Sequence, residues 1–237
     1  MPLTTTTPTL DRWEAAPSIE TLRSLYDTSA HKWQNNLTRL GQIRDYQLLF
    51  ESQVIRNHLS GLGRTSKILD CGVGTGAFSL ALLDSVAQPA HISGVDISYP
   101  MLVQTQQNLK NRCATLDLKC GDIRRLPFAD NSFDAVIFAH VLEHMAEPVE
   151  TLREMVRVLK PGAPLIGSVT RKSLAQVFMS LHWHHRGYTS DQLVFFLQAA
   201  GLESVSAFDY GVDWSRRMCL AVTGIKSQTC KLLESFQ

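Results

Sequence analysis

Three aspartates, each placed where an apolar run gives way to a turn, are the residues of this chain best suited to hold a small ligand. The first stands beside a group of glycines. Ile68 and Leu69 lead into Asp70-Cys71-Gly72-Val73-Gly74-Thr75-Gly76, after which Phe78, Leu80, Ala81, Leu82 and Leu83 carry a helical pattern. Glycines here admit positive φ and let a ligand lie directly against the main chain. The stretch from His91 to Asp96 repeats the strand-to-acid pattern about 20 residues past the last glycine, and Leu116 to Asp122 repeats it again. In a parallel sheet such turns gather at the carboxyl ends of the strands, where ligands bind.

The spacing favours one ligand chemistry over another. Dinucleotide sites use G-x-G-x-x-G to bring a helix N-terminus to an anionic pyrophosphate. Here the glycines read G-x-G-x-G with Asp70 just before them, and an acid beside the loop suits a cation better than a diphosphate. S-adenosylmethionine has a sulfonium, an amino group, a ribose and an adenine, and no phosphate. Asp70 is therefore assigned toward the methionyl end, Asp96 to the ribose hydroxyls, and Asp122 with the Ile123 backbone to the adenine. A glycine loop alone is also compatible with a tight turn packed on its helix.

Six stretches carry a wider resemblance: Ile68 to Gly76, Gly94 to Ser98 with Met101-Leu102, Gly121 to Phe128, Ser132 to Val136, Val141 to His144, and Arg157 to Gly162. In this order they resemble the class I S-adenosylmethionine-dependent methyltransferases, in the small-molecule branch that includes ubiquinone- and menaquinone-type enzymes. The resemblance spans about residues 20 to 225. It implies an α/β fold with a Rossmann-like, mostly parallel seven-stranded sheet, an antiparallel last strand, helices on both faces and an N-terminal helical lid. It implies a lid segment at 18–60 and a methyltransferase domain at 61–226 with a substrate region at about 171–190; the Thr- and Pro-rich start at 1–17 is expected to be flexible, and 227–237 is a tail. The implied cofactor is S-adenosyl-L-methionine, with S-adenosyl-L-homocysteine as product. The implied cofactor residues are Tyr26, Asp70, Gly72, Gly74, Gly76, Asp96, Ile97, Met101, Asp122, Ile123 and Ala139. Two departures stand out: Ala163-Pro164 replaces a Gly-Gly pair, and His140 stands where small polar residues are common.

Methyl transfer is an in-line displacement at an activated carbon, so the protein must mainly align the acceptor and exclude water. A phenol, hydroxyl or carbon-acid acceptor gains from a base, for which histidine is suited; an amine or thiol needs none. His140 follows the fourth expected strand on the crevice side and is the first candidate, with His144 and His184 behind it. His144 and Glu143 serve equally well as a brace for the next helix. Apolar bulk mixed with imidazoles around 171–188 predicts a pocket for a ligand with an apolar or aromatic body, which the resemblance implies is an aromatic, quinone-like or natural-product acceptor. Trp33, Trp183, His185 and Tyr188 are its expected lining. The histidines at 182, 184 and 185 lack neighbouring cysteines or carboxylates in a ligand pattern, and no metal is assigned.

The elements that must position these groups follow from periodicity. Ser18 caps a helix carrying Ile19, Leu22, Leu25 and Tyr26; the segment from Tyr26 to Trp33 resembles the family's lid, or is a helix packing its aromatics onto the domain. Another helix is expected over 43–59. Strand and helix then alternate as in a parallel sheet: strands at 133–138 and 164–169, helices at 148–159 and 191–200, a sixth strand ending near Tyr210 and a seventh over 218–224.

At 237 residues with a net charge of +1, the chain suits one α/β domain with an N-terminal addition. No basic run exceeds two residues, which disfavours a nucleic-acid partner. Five scattered cysteines fit reduced thiols, and no apolar run is long enough to span a bilayer. The expectation is a cytoplasmic, monomeric or homodimeric enzyme acting on a small molecule. Two alternatives stay open: a cofactor-binding protein that runs another reaction or regulates a partner, and, less favoured, an RNA methyltransferase.

Overall fold

A computed structural model of the chain describes residues 16–39, 41–86, 90–173 and 186–228. Helix α1 (Ile19–Arg39) starts where Ser18 accepts the Thr21 N–H at 3.2 Å. Residues expected to form one helix over 43–59 form two, α2 (Gln42–Glu51) and α3 (Gln53–Leu59), separated by Ser52 in an extended conformation with ψ 142. The break has a packing cause. Tyr46, Leu49, Phe50, Ile55 and Leu59 all enter one core, yet at 100° per residue Ile55 and Leu59 would face nearly opposite to Tyr46 and Phe50 on one straight helix.

The α/β body follows: β1 (Lys67–Cys71), α4 (Ala77–Ser85), β2 (His91–Asp96), α5 (Tyr99–Leu109), β3 (Thr115–Cys120), β4 (Ala135–Ala139), a 3-10 turn (Leu142–His144) and α6 (Pro148–Val158). Then come β5 (Pro164–Thr170), α7 (Ser190–Ala199), β6 (Leu202–Phe208), a six-residue α8 (Asp213–Met218) absent from the sequence expectation, and β7 (Cys219–Lys226). Ser98 caps α5, and Thr189 with Gln192 forms a reciprocal capping box on α7.

The seven strands lie in the order β3-β2-β1-β4-β5-β7-β6. Only β7 runs against its neighbours, pairing antiparallel with both β5 and β6. From β1 the chain moves outward through β2 and β3, then returns to the other side of β1 for β4. The direction reverses between β1 and β4, and in open α/β sheets ligands bind at such a switch point.

Period-2 alternation divides the core between the two faces of the sheet. Leu69, Cys71, Val136 and Phe138 join α6 and α7 residues such as Leu152, Met155 and Leu193. Ile68, Ile137 and Ile166 pack with Leu49, Phe50, Phe78 and Leu82 from α2 and α4. Among the described residues no helix is long and apolar enough to cross a membrane.

Candidate functional site

A cleft with about 1020 Å³ of open space lies at the carboxyl ends of β1, β2 and β4. Tyr26, Gly72, Gly74, Asp96, Ile97, Met101, Asp122, Ile123 and Ala139 from the expected cofactor set line it, together with His140 and His144. The glycine loop is folded back onto β2: the N–H groups of Gly72 and Val73 both donate to Val95 O, at 2.8 and 3.1 Å. Gly72 and Gly74 have φ of 74 and 53. A Cβ on Gly74 would meet nothing nearer than Gly72 O at 3.9 Å, so that loop edge offers open space for a ligand.

Asp96 ties the two sides of the cleft. Its Oδ2 accepts the Gly74 N–H and its Oδ1 the Ser98 N–H, each at 2.9 Å. Each oxygen thereby uses one lone pair and keeps another. Burial pushes Asp96 up to about 6 against the pull of those N–H groups, and Asp27 adds to the rise.

Asp70 departs from its expected place. Alternation along β1 turns it to the Ile68 face, beneath α4, where Oδ2 accepts from Ser79 Oγ at 2.7 Å. It is 1% exposed and stands behind the cleft wall. Its Oδ1 is buried without a hydrogen-bond partner, and burial, opposed by Ser79 and reinforced by Asp96, raises it to about 7. Gly76 is also off the cleft, because it packs against Thr105 and Leu109 of α5. Asp122 lines the cleft, but its carboxylate is held bidentately by Arg124, with Nε and Nη2 at 2.9 and 2.7 Å from Oδ2. Burial alone would raise it, yet Arg124 outweighs this and the net shift is downward.

The two raised aspartates make the ligand-free protein pH-sensitive. Their folded pKa values exceed the unfolded ones, so the stability they contribute is full below about pH 4 and is lost as pH rises through 6 to 7. Each unit corresponds to about 1.4 kcal/mol, so up to about 4 kcal/mol should disappear between pH 5 and 8. The melting temperature without ligand should fall by several degrees over that interval in buffers of equal ionic strength; a flat or rising profile would contradict buried, unpaired carboxylates.

At the β4 end of the cleft, His140 sits in the left-handed region with φ 56, and its N–H donates to Ser168 O at 2.9 Å. Nδ1 lies 2.9 Å from Glu143 Oε1 and 3.1 Å from Thr170 Oγ1. Nε2 lies 3.0 Å from Gln42 Nε2 and 3.3 Å from Ser168 Oγ. Glu143 is fixed in turn by the Thr170 N–H at 2.6 Å. Burial opposes a charged His140, but Cys219 and Glu143 push it upward. Burial likewise raises Glu143, and His140 more than offsets this, bringing it to about 2.

Helix α1 reaches across the cleft with three hydrogen bonds. Arg23 Nε donates to Ile97 O at 3.2 Å, Asp27 Oδ1 accepts from Ser98 Oγ at 2.6 Å, and the Tyr26 hydroxyl lies 2.7 Å from His144 Nε2. Burial, with Glu143 and Asp96, raises Tyr26 and keeps its hydroxyl a donor.

The expected acceptor pocket fares differently. Tyr188 is a core residue: it is 2% exposed, its hydroxyl donates to Leu142 O at 2.8 Å, and its ring packs edge-on against Phe196. An isolated bridge between Arg171 and Tyr188 turns it inward. Trp183, His184 and His185 lie outside the described residues, and for Trp33 only the backbone, within α1, is described. Tyr46 and Phe78 line the cleft although their apolar spacing reads as core. The Gln42 amide donates to the Tyr46 hydroxyl at 3.0 Å; the i, i+4 spacing of this polar pair was the available signal. Among the described residues no three His, Cys, Asp or Glu side chains form a group that could hold a metal.

Residues 69–167 match the methyltransferase domain family. A demethylmenaquinone methyltransferase of Lactiplantibacillus plantarum is 32% identical over 152 residues, 62% of this chain and 62% of that protein. A ubiquinone/menaquinone biosynthesis C-methyltransferase of Bdellovibrio bacteriovorus is 27% identical over 64% of this chain and 62% of its own length. The chain thus matches about three fifths of the length of these two relatives. Among solved structures, magnesium protoporphyrin IX methyltransferase of Synechocystis with bound S-adenosylhomocysteine superimposes with a TM-score of 0.67 at 18% identity, covering 89% of this chain and all of that one. The fold is the Rossmann-like methyltransferase fold.

Proposed function

We propose, on the premise that residues 69–167 are an S-adenosylmethionine-dependent methyltransferase domain, that this protein transfers a methyl group from S-adenosylmethionine to a small-molecule acceptor. The observation that carries the reading is Asp96. Its carboxylate closes the loop with two backbone N–H bonds and keeps lone pairs for a ribose diol. The donor set fits the cofactor in three further respects. Asp96, which lines the cleft, is a buried carboxylate without a cationic partner among the described residues, which suits a positively charged ligand. Among the described residues, the arginine that lines the cleft, Arg124, is already spent on Asp122, which argues against a diphosphate. Gly74 leaves room for close approach to the main chain.

When bound, S-adenosylmethionine supplies a methyl carbon activated by its sulfonium. The chain's own residues do the rest. Asp96 and the Gly72–Gly74 edge would hold the ribose and methionyl portions, Ile97, Met101 and Ile123, which line the same cleft, would hold the adenine, and α1 with Tyr26 would shield the reacting end from water. His140 and His144, which line the same cleft, are imidazoles available to an acceptor there. A cytoplasmic location completes the reading, supported by the unbridged cysteines 71, 113, 120 and 219; the reading includes a monomeric or homodimeric state.

Calorimetric titration with S-adenosylmethionine and S-adenosylhomocysteine tests it. Micromolar binding of both, at one site per chain, is the expected result. Binding of neither would overturn the reading.

A further inference from the structure

The histidine beside the cleft is wired in a way that bears on which acceptor is used. His140 has two differently employed nitrogens. Nδ1 faces the Glu143 carboxylate at 2.9 Å, an acceptor-only group when ionised, so the proton resides on Nδ1. Glu143 cannot swing away, because the same oxygen receives the Thr170 N–H at 2.6 Å and the side chain is 1% exposed. In the neutral ring, with Nδ1 protonated, Nε2 carries the lone pair, and Gln42 Nε2, a donor, sits 3.0 Å from it. Gln42 has an alternative partner in Tyr46, so it can release Nε2 to an incoming hydroxyl and keep one hydrogen bond. The backbone of His140 is held in a conformation that a non-glycine residue rarely adopts, and such strain concentrates at functional sites. A residue kept there only to fill space would not need a buried carboxylate behind it.

We propose that Glu143 is a positioning residue that fixes His140 with Nδ1–H toward its carboxylate and Nε2 as proton acceptor, and that the acceptor is an O–H acid, a phenol or enol. The inference rests on the methyltransferase reading. In the step, the acceptor O–H bond breaks and its proton passes to His140 Nε2. The freed oxygen pair forms the new bond to the methyl carbon, and the carbon–sulfur pair leaves with sulfur as a neutral thioether. Glu143 stabilises the resulting imidazolium, which later returns its proton to solvent. Among the described residues, the other titratable groups facing this pair are Cys219 of β7, Tyr46 of α2, Tyr210 through Ser168, Tyr188 beside Glu143, and His144, itself bonded to Tyr26 of α1.

The test uses the full chain labelled with 15N-histidine, with His140 assigned by loss of its signals in His140→Asn. The ring should show the Nδ1–H tautomer and titrate above the ordinary histidine range. In Glu143→Gln, which preserves shape and can still accept the Thr170 N–H, the midpoint should fall by a unit or more. An Nε2–H tautomer, or a midpoint unmoved in the variant, overturns the proposal without reference to any substrate. In matched panels of phenols, amines and thiols, methylation should fall on the phenols. The acid limb of kcat/KM should lie above pH 6.5 and shift downward in Glu143→Gln, with kcat about 10- to 100-fold lower and cofactor affinity within about threefold. Methylation confined to amines or thiols, or an unshifted limb, overturns the proposal. Calorimetry on the same preparations separates the failures. An unaltered chain that binds no cofactor removes the methyltransferase reading and this one with it; normal binding with an unmoved midpoint removes this one alone.

Discussion

Asp96→Ala should weaken S-adenosylmethionine binding by about 100-fold or more. Hydrogen bonds to a charged group contribute about 1.5 to 3 kcal/mol, two are expected to the ribose diol, and every 1.4 kcal/mol is about tenfold. The structure adds a second loss. The same carboxylate accepts the N–H of Gly74 from the glycine loop and of Ser98 from the start of α5, so alanine leaves the buried Ser98 donor and the part-buried Gly74 donor without this acceptor and removes the tie between the loop and the start of α5. Asp96→Asn separates the two effects, since its carbonyl can still accept one N–H while its amide cannot serve the diol in the same way. Titration of the three proteins with S-adenosylmethionine and S-adenosylhomocysteine is the measurement. Alanine should be weakest for both ligands, with asparagine between. Affinity within threefold of the parent in Asp96→Ala would remove Asp96 from the cofactor site.

Gly72→Ala should lower the melting temperature by about 5 to 15 °C, on two grounds. Its φ of 74 lies where an L side chain is strained, at roughly 1 to 3 kcal/mol. A Cβ there would stand 2.2 Å from Val141 Cγ1, and forcing extra volume into a packed site costs about 1 to 3 kcal/mol. In a chain of this size each kcal/mol moves the midpoint by about 2 to 4 °C. Gly74→Ala makes the contrast, because its Cβ would project into open space. Its φ of 53 carries a comparable backbone strain without the overlap, so it should lose about half as much stability as Gly72→Ala and lose cofactor affinity as well. Thermal denaturation and titration of both variants decide the matter; a Gly72→Ala midpoint within a degree of the parent would mean that the loop does not need this backbone conformation.

The resemblance among short motifs carried far. Ile68 to Gly76, the acid at Asp96 and the segment from Gly121 to Phe128 placed the loop, the second strand end and the third around one cleft, and nine of the eleven expected cofactor residues line it. Alternation along β1 also contained the answer for Asp70, since a residue two beyond Ile68 shares its face. Reading that acid as a ligand contact overrode a periodicity that placed it under α4. Tyr188 was misjudged for a related reason. Its aromatic body with a polar tip fits a pocket or a core equally well, and only its neighbours Leu142, Arg186 and Phe196 decide.

What the sequence by itself determined is what depends on near neighbours: the helix starts at Ser18, Ser98 and Thr189, the strand-loop-helix at the glycines, and the order of elements that forces a parallel sheet with its crevice at the strand ends. The cap at Ser18 and the 3.6- and 2-residue periods, with backbone freedom at glycine, act over a few residues; the caps at Ser98 and Thr189 act over the same short range. Tertiary structure alone decided the company His140 keeps. Gln42 is 98 residues away from it, Thr170 30 and Cys219 79. Each arrives on a different element, α2, β5 and β7. The break at Ser52 belongs to the same category, because a helix ends there only once its two halves must bury different faces in one core. Polar groups of such separation meet through the packing of whole elements, and no local rule of the chain encodes that meeting.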